Sequence, residues 1–477
     1  MMTRLSAVVL AAALLLVPSS PVSAQRGNPL VQFDGQSIDQ MIAAFMAERQ
    51  IPGVTLAIVQ APYISRVTGY GVSDTGTRRL ASPKTLWNVG QMARAYTAVA
   101  ITQLVEAGKL TIDDPVGKHV TSLPAAWQPV TIRQLMAHAS GLPDYTAQPG
   151  FDRARTYTRP QLLALVRDVP VAFAPGAQVA ASATDFLLLG QVVEHASGMS
   201  YEAYVTRNQI ERLHLKNTVF APALPSVKQE SLDAPGAKHK AFLAERPFID
   251  PTEAAVGYTT SNGALAPVRP AADVAWFGHG AIFASAEDIS LWDIGLAGGL
   301  LVSAKEHRDV LYNPSRGIPA NAGWRFPTHK GLMDIEGNVP GYSCYLARFT
   351  DPGELLCVTL CGNRDGIDFA DLGRRIAGAF DPKLGPPLGV TKTSRESTYS
   401  VAGTLERLSS FLKQKGATVS AASAGDRLTV RLSGAVRDVT LRVWQHTDGT
   451  VWAGYDALEA SSRPAIEAAV KYATAPY

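Results

Sequence analysis

The helix pattern of residues 91–110 constrains the fold more than any other feature of this sequence, because its apolar residues occur nearly all round the predicted helix. A helix at a protein surface normally has one apolar stripe and one polar face. A helix without that division belongs inside a domain. The chain has 477 residues, of which 46% are hydrophobic, so it can bury a large core around such a helix. The apolar residues of the pattern include Met92, Ala95, Val99, Ile101, Leu104 and Val105.

On either side of this helix, segments with the residue pattern of strands alternate with segments that have the pattern of helices. Residues 38–53 have a helical spacing that stops at Pro52-Gly53, and VTLAIV and YISRVTGYGVS are then typical of the two strands of a hairpin. Helical patterns dominate from about 131 to 215, strand-like segments return near 325–362, and DFADLGRRIAGAF is amphipathic. This order predicts an α/β fold with a mostly antiparallel sheet flanked by helices and a helical lobe.

The C-terminal part of the chain has a different character. The sequence PKLGPPLG at residues 382–389 predicts a linker, because its prolines and glycines cannot continue a helix or a strand. After it come a helical segment, an alternating segment around residues 428–432, a hairpin that turns at Asp448-Gly449, and a final helix. We therefore predict a main domain over residues 25–381 and a small α+β domain over residues 390–477.

Residues 1–24 have the pattern of a secretory signal peptide. A positive start at Arg4 precedes an apolar run, and Val22-Ser23-Ala24 provides small residues at the two positions that a signal peptidase inspects. The alternative is an uncleaved membrane anchor, for which the apolar run of residues 5–17 is short, since a bilayer span needs about 20 residues. We expect a periplasmic or secreted protein with no stable membrane span after cleavage.

Charge and residue clustering argue against several kinds of partner. The formal net charge of +3 gives no electrostatic basis for binding nucleic acid or an anionic membrane. The sequence has no group of His, Cys, Asp or Glu with the spacing of a metal site, and no glycine-rich phosphate loop. We therefore expect neither a metal nor another cofactor.

The three cysteines, Cys344, Cys357 and Cys361, lie close together in the sequence. They fall in two predicted strands that are joined by a Pro-Gly turn. If Thr350 pairs with Leu355, then Cys344 and Cys361 are cross-strand neighbours, and an oxidising compartment would permit a disulfide between them. We expect buried thiols that pack as small apolar side chains, with the disulfide as the alternative.

Six motifs follow one another along residues 38–380. They are IPGVTLAIV with GYGVSD, LVEAGKLTIDDPV, TIRQLMAHASGLPDY, APGAQVAASATDFLLLGQVVEHASGMSYEAYV, GHGAIFASAEDISLW and NVPGYSCYLARF. In this order they resemble the serine β-lactamase and penicillin-binding-protein-like superfamily, especially its branch of class C β-lactamases, D-alanyl-D-alanine peptidases and esterases. The resemblance implies a β-lactamase/transpeptidase-like fold. It also implies acyl transfer by a Ser-x-x-Lys motif, a Tyr-x-Asn motif and a Lys- or His-x-Gly strand.

The positions that this resemblance assigns to catalysis hold other side chains. An amide has no nucleophilic oxygen comparable with a hydroxyl, and a guanidinium, with a pKa above about 12, stays protonated and cannot act as a base. Alanine and isoleucine offer neither a proton nor a side-chain hydrogen bond. We therefore predict no catalytic residue and no acyl-transfer activity. The alignment places Gln91 at the Ser position, Arg94 at Lys, Ala181 at Tyr, Ala183 at Asn and Ile335 at Lys or His, with Gly337 kept.

What remains is a candidate binding cleft lined by Gln91, Arg94, Ser182, Glu336 and Gly337. In one arrangement Arg94 pairs with Glu336, because a charge in a cleft needs a partner, and the pair plugs the old pocket. In the other arrangement each side chain points to solvent. Arg94 without an acidic partner would be a hook for a carboxylate, since its guanidinium offers a fixed fork of donors.

Other residues with catalytic side chains are interpreted as structural. Ser410 and Lys413 have the Ser-x-x-Lys spacing, but they lie in the predicted C-terminal domain without the companion motifs. His138 and Ser140 belong to the turn segment of the third motif, and His279 precedes a glycine in a loop. We expect both histidines to be hydrogen-bonded turn residues.

Two functions follow from the sequence. The first is a secreted pseudoenzyme that binds a peptide, a cell-wall fragment or a protein without turning it over. The alternative is a serine hydrolase, an esterase, peptidase or β-lactamase-like enzyme, that uses a non-standard residue such as Ser182. A scaffold with a filled cleft is a third form that the sequence does not separate from the first. Function has to be argued from the site and not from the fold, and the altered site favours the pseudoenzyme.

Overall fold

The structure is a computed structural model that describes residues 31–474 with gaps. The residues left out within this range are 34, 61–62, 153–154, 156, 225–251, 262, 269–277, 279, 313–319, 327–331, 350–355, 382–383, 386–390, 393–400, 422–426, 433–437, 446–450 and 456–462.

An eight-stranded antiparallel sheet forms the centre of the main domain. The predicted hairpin near residue 60 and the predicted strands near 325–362 are both part of it, and their apolar residues alternate or run continuously as buried strands require. In spatial order the strands are Ala320–Asn321, Trp324–Arg325, Leu332–Val339, Tyr342–Phe349, Leu356–Gly362, Gly53–Gln60, Tyr63–Asp74 and Arg79–Leu80. The strand Leu332–Val339 carries part of the candidate cleft and is called the site strand below.

A helical lobe packs on one face of this sheet and two helices cover the other face. The lobe side contains the larger core, and the opposite core includes Met41, Ile42, Phe349 and Ile376. The predicted α/β fold with a mostly antiparallel sheet flanked by helices is therefore confirmed. The helices of the main domain are Ile38–Arg49, Ala93–Glu106, Ile132–Met136, Arg159–Ala164, Ala183–Ser197, Tyr201–Val205, Ala286–Ala297, Lys305–Tyr312 and Ala370–Gly378.

The helix Ala93–Glu106, called the central helix below, is enclosed as its composition predicts. Eleven of its 14 residues are buried. It is shorter than the predicted 91–110, because residues Gly90–Met92 form a 3₁₀ turn before it. At the other end Gly108 has a φ of +64°, a left-handed conformation that does not continue an α-helix.

Smaller sheets complete the main domain. One has four strands, among which Thr85–Asn88 and Glu253–Ala254 run parallel. Two further pairs of strands are antiparallel. The remaining strands are Thr218–Phe220 and Ile282–Ala284 in the four-stranded sheet, and the pairs Gln32–Phe33 with Gln36–Ser37 and Tyr258–Ser261 with Ala264–Pro267.

Cys344 and Cys361 face each other across neighbouring strands and form a disulfide. Phe349 pairs with Leu356, and this is the strand register in which Thr350 would pair with Leu355. The expectation of three free buried thiols is therefore wrong for two of them. The reason is the register, which brings the two Cα atoms to 4.1 Å. Cys357 is free and buried.

The C-terminal residues build a separate five-stranded antiparallel sheet with its own core. Helices Val401–Gln414 and Arg463–Thr474 pack on it, and buried residues such as Leu408, Leu441 and Ile466 fill the space between. Ser410 and Lys413 lie on the exposed side of the first helix. The strands are Thr391–Lys392, Thr418–Ala421, Arg427–Arg431, Val439–Gln445 and Val451–Tyr455.

Among the residues that the structure describes, none of the helices has both the length and the apolar character needed to cross a membrane.

Candidate functional site

The 3₁₀ turn that precedes the central helix packs directly on the site strand, and two glycines make this contact possible. Gly90 has a φ of +53°, and a Cβ there would lie 3.0 Å from the backbone nitrogen of Asn338. A Cβ on Gly337 would lie 1.8 Å from the carbonyl oxygen of Val89. A side chain at position 337 would overlap backbone atoms and one at position 90 would be strained, so the backbone of residue 91 is held close against the strand.

Gln91 uses its side chain to close this junction. The backbone N–H of Asn338 donates a hydrogen bond to Oε1 of Gln91 at 2.6 Å. The side-chain carbonyl thus occupies a backbone donor at the position where the resemblance would place a nucleophile. An amide oxygen is not a nucleophile comparable with a hydroxyl, and here it is held by the N–H of Asn338.

Arg94 lies one turn further along, in the first turn of the central helix. Its Nη1 donates to Nε2 of His138 at 3.2 Å, and its guanidinium lies over the ring of Phe186, 5.5 Å from the ring centroid. Its Nε is buried and has no hydrogen-bond partner. The guanidinium is therefore held by a neutral ring and an aromatic face instead of by a carboxylate.

Glu336 does not reach Arg94, so the pair that would have plugged the cleft is not formed. Its carboxylate instead pairs with Arg325 at 2.8 Å and is 45% exposed. Strand geometry explains the correction, because Ile335 points into the core and its neighbour must point out. Arg325 lies on the adjacent strand, opposite Asp334 and diagonal to Glu336. The alternative, in which both side chains point to solvent, is also wrong for Arg94, which is half-buried.

His138 connects Arg94 to a buried acid. Nδ1 of His138 lies 2.7 Å from Oδ2 of Asp185, and the hydroxyl of Ser140 donates to Oδ1 of Asp185. Because a guanidinium can only donate, Nε2 of His138 must accept and Nδ1 must carry the ring proton. The ring is therefore neutral and donates to Asp185. The expectation of a hydrogen-bonded turn histidine is confirmed for His138, while His279 lies outside the described residues.

Burial governs the protonation of this group. Burial and the neighbouring Arg94 hold the pKa of His138 well below its ordinary value, in agreement with a neutral ring. Burial raises the pKa of Asp185 well above its usual range, and the hydrogen bond from Ser140 and the charge of Arg94 oppose that shift. Burial also lowers the pKa of Arg94. Burial thus disfavours the charged form of all three groups, Arg94, His138 and Asp185.

Ser182 precedes the helix Ala183–Ser197 and is only 2% exposed. Its hydroxyl has no hydrogen-bond partner among the described residues, and its backbone nitrogen, not its hydroxyl, lies 3.3 Å from Nδ1 of His138. A serine nucleophile needs a base within hydrogen-bond reach of its hydroxyl. Ser182 therefore does not have the geometry that the hydrolase alternative requires.

The remaining altered positions contribute no reactive group. Ala181 is exposed, Ala183 is buried at the start of its helix, and Ile335 is 2% exposed in the core. A tight turn at Ala322-Gly323 closes on this region, since a Cβ on Gly323 would lie 3.0 Å from Cβ of Arg94 and 3.3 Å from Cδ1 of Ile335. The turn thus packs closely against the base of the Arg94 side chain and against Ile335.

Sequence reasoning missed two participants, the backbone of Asn338 and the side chain of Asp185. Nothing in the sequence shows which backbone N–H a glutamine will contact. Asp185 did leave a signal, because an acid in the first turn of the apolar segment FLLLG is buried with its helix and needs a partner. No group of three or more His, Cys, Asp or Glu side chains suited to a metal ion occurs in the described part of the chain.

Comparison with known proteins places these residues in context. The family model described as Beta-lactamase matches residues 38–380. Protein flp of Staphylococcus aureus strain N315 is 28% identical over 202 residues, which cover 41% of this chain and 40% of that protein. The match thus spans about two fifths of the length of this relative.

Two further likenesses cover more of the chain. The putative penicillin-binding protein PbpX of Bacillus subtilis strain 168 is 25% identical over 340 residues, 71% of this chain and 77% of that protein. The octameric penicillin-binding protein homologue from Pyrococcus abyssi has a similar fold, with a TM-score of 0.58 at 21% identity, covering 85% of this chain and 90% of that one.

Proposed function

Because this chain belongs to the beta-lactamase family, we propose that it is a secreted member that has lost acyl transfer and acts by binding. Its ligand is a peptide, a cell-wall fragment or a protein that enters the remnant cleft. The name of PbpX describes that relative as a putative penicillin-binding protein, and this supports a binding role for this chain.

One observation carries the proposal. Gln91 stands at the position that the resemblance assigns to the nucleophile. Its side-chain oxygen accepts a hydrogen bond from the backbone N–H of Asn338. No hydroxyl with an adjacent base takes over its role among the described residues around the cleft. Arg94 cannot deprotonate, and Nε2 of His138, the one lone pair of the neutral ring, already accepts from Arg94.

Secretion rests on two features of the chain. Residues 1–24 have the charge, apolar run and small residues of a cleavable leader. The disulfide between Cys344 and Cys361 supports the same placement, because such bonds persist in oxidising compartments such as the periplasm and the extracellular space.

The proposal includes a division of the mature chain into residues 25–381, a linker over 382–389 and a small domain over 390–477. The separate core of the C-terminal sheet supports it, because a unit that buries its own apolar residues can fold as a domain. The linker itself falls mostly outside the described residues.

Turnover assays test the loss of acyl transfer. We expect the purified mature chain and its Ser182→Ala variant to hydrolyse a chromogenic cephalosporin and a p-nitrophenyl ester no faster than the heat-denatured protein. The physical reason is that the hydroxyl of Ser182 has no base. Hydrolysis above that background would contradict the proposal, and its loss in Ser182→Ala would establish the hydrolase alternative.

A further inference from the structure

We propose that His119 and His195 bind a divalent transition metal, Zn²⁺, at the end of the helical lobe that lies away from the candidate cleft. The Nδ1 atoms of the two rings face each other at 3.3 Å. The two residues are 76 positions apart in the chain, so no sequence spacing indicates the pair. The expectation of no metal came from such spacings and does not bear on this pair.

The pair lies far from the cleft along one helix. His195 is in the last turn of the helix Ala183–Ser197, and Asp185, which holds His138 beside the cleft, is in its first turn. These two residues are ten positions apart on the helix, about 15 Å at the usual rise per residue. His119 follows the 3₁₀ turn Val116–Lys118. A metal ion here would therefore join two segments of the lobe without entering the cleft.

Asp114 determines which nitrogen of His119 can bind a metal. Its Oδ2 lies 3.0 Å from Nε2 of His119. Burial raises the pKa of Asp114, but hydrogen bonds from Thr111, Lys118 and His119 lower it further below its ordinary value, so the group is a carboxylate and can only accept. Nε2 of the neutral ring therefore carries the proton, and Nδ1 presents a lone pair towards His195. Histidines that bind zinc almost always donate their other N–H to a carboxylate, a carbonyl or water in this way.

The distance between the two nitrogens fits a zinc ion. Zn²⁺ binds imidazole nitrogen at about 2.0–2.1 Å with tetrahedral angles, so two such ligands lie about 3.3–3.4 Å apart. Cu²⁺ prefers a tetragonal arrangement, in which neighbouring nitrogens are only about 2.8 Å apart. Mg²⁺ and Ca²⁺ take oxygen ligands. The observed 3.3 Å between nitrogens therefore favours Zn²⁺.

The protons of the pair balance when the metal binds. In the metal-free chain Nδ1–H of His195 donates to the lone pair of His119. Zn²⁺ takes the lone pair of each Nδ1, so the proton of His195 moves to its own Nε2 by exchange with water. Both rings stay neutral, and one hydrogen bond is replaced by two metal–nitrogen bonds.

The surroundings suit a cation that keeps water ligands. The side chain of His119 is 4% exposed, whereas His195 is exposed, so the ion would have protein on one side and solvent on the other. The C-terminal end of a 15-residue helix carries partial negative charge beside His195, and Asp114 places a full negative charge behind His119. Lys118 shares this carboxylate, which limits the gain. Two protein ligands are fewer than the four of a structural zinc site, so water completes the coordination.

Calorimetric titration of the mature chain with ZnCl₂ tests the assignment, after removal of any affinity tag and treatment with a chelator. We expect one Zn²⁺ per chain with a Kd of about 1–100 µM, weaker than full structural sites because two ligands are water. His195→Gln should raise this Kd at least about tenfold, since a metal–nitrogen bond is lost. No binding at about 1 mM Zn²⁺, or an unchanged Kd in His195→Gln, would overturn the assignment.

Two further variants and a second metal locate the site. His119→Gln should also weaken binding, while its amide can still donate to Asp114. His214→Asn is the control, because His214 is an exposed histidine of another turn with a φ of +54°, which asparagine tolerates. We expect the visible absorption bands of tetrahedral Co²⁺ in the unaltered chain and in His214→Asn, and their loss in His195→Gln. Bands that persist in His195→Gln, or their absence from the unaltered chain, would also overturn the assignment.

This inference does not depend on the proposed binding function. Turnover or a covalent adduct at the cleft would remove that function and leave the metal site standing, and a failed zinc titration would remove only the metal site.

Discussion

Replacing Asp185 with alanine is expected to lower the free energy of unfolding by about 3–5 kcal/mol, the range found when one partner of a buried charged group is removed. Asp185 is fully buried and accepts hydrogen bonds from His138 and Ser140. Its loss leaves the donors of both side chains unsatisfied and removes one of the two acids, Asp185 and Asp144, that act electrostatically on the half-buried Arg94.

Chemical denaturation followed by tryptophan fluorescence measures this change. Asp113→Ala is the matched control, because Asp113 pairs with Arg133 at the surface, and we expect a loss of at most about 1 kcal/mol there. Combining Asp185→Ala with Arg94→Met should recover part of the stability, since the uncompensated cation is removed. If Asp185→Ala costs no more than Asp113→Ala, the buried connection through His138 is not a stabilising feature.

Replacing Gly337 with alanine is expected to cost about 3 kcal/mol, at the upper end of the range for overpacked sites. The added Cβ would lie 1.8 Å from the carbonyl oxygen of Val89 and 3.2 Å from the nitrogen of Gln91. Both contacts are with backbone atoms, so no change of rotamer relieves them. The 3₁₀ turn has to move away from the site strand, and the hydrogen bond from Asn338 to Gln91 is lost with it.

The control for this variant is Gly76→Ala. A Cβ there would meet only the side chain of Asp74, at 3.3 Å, in an exposed turn. We expect a change within about 0.5 kcal/mol, as for ordinary surface substitutions. Equal melting temperatures for Gly337→Ala and Gly76→Ala would show that the turn does not pack on the strand as described.

The elements of the fold could be predicted from the sequence because each one depends on local patterns. The apolar residues all round the central helix predict that it is buried, and eleven of its 14 residues are buried. The cysteines show where this approach ends. Strand patterns placed Cys344 and Cys361 in neighbouring strands, but only the register decides whether their side chains meet.

The resemblance predicts that the catalytic positions are replaced, with Gln91 and Arg94 at two of them, and this stays a prediction. The sequence does not predict the partner of Arg94, because His138 comes from a turn 44 residues away and its position depends on packing. The prediction that Arg94 pairs with Glu336 was wrong for a similar reason, because Arg325 on a neighbouring strand binds Glu336 instead.

The central claim is that this member of the beta-lactamase family does not form an acyl-enzyme. Mass spectrometry of the intact mature chain after incubation with a fluorescent penicillin and, separately, a fluorophosphonate tests it most directly, beside an active relative and a heat-denatured control. We predict an unchanged mass with both probes while the active relative is labelled. A stoichiometric adduct that maps to one serine of the folded chain, and that is absent after heat denaturation, would contradict the claim and identify the nucleophile.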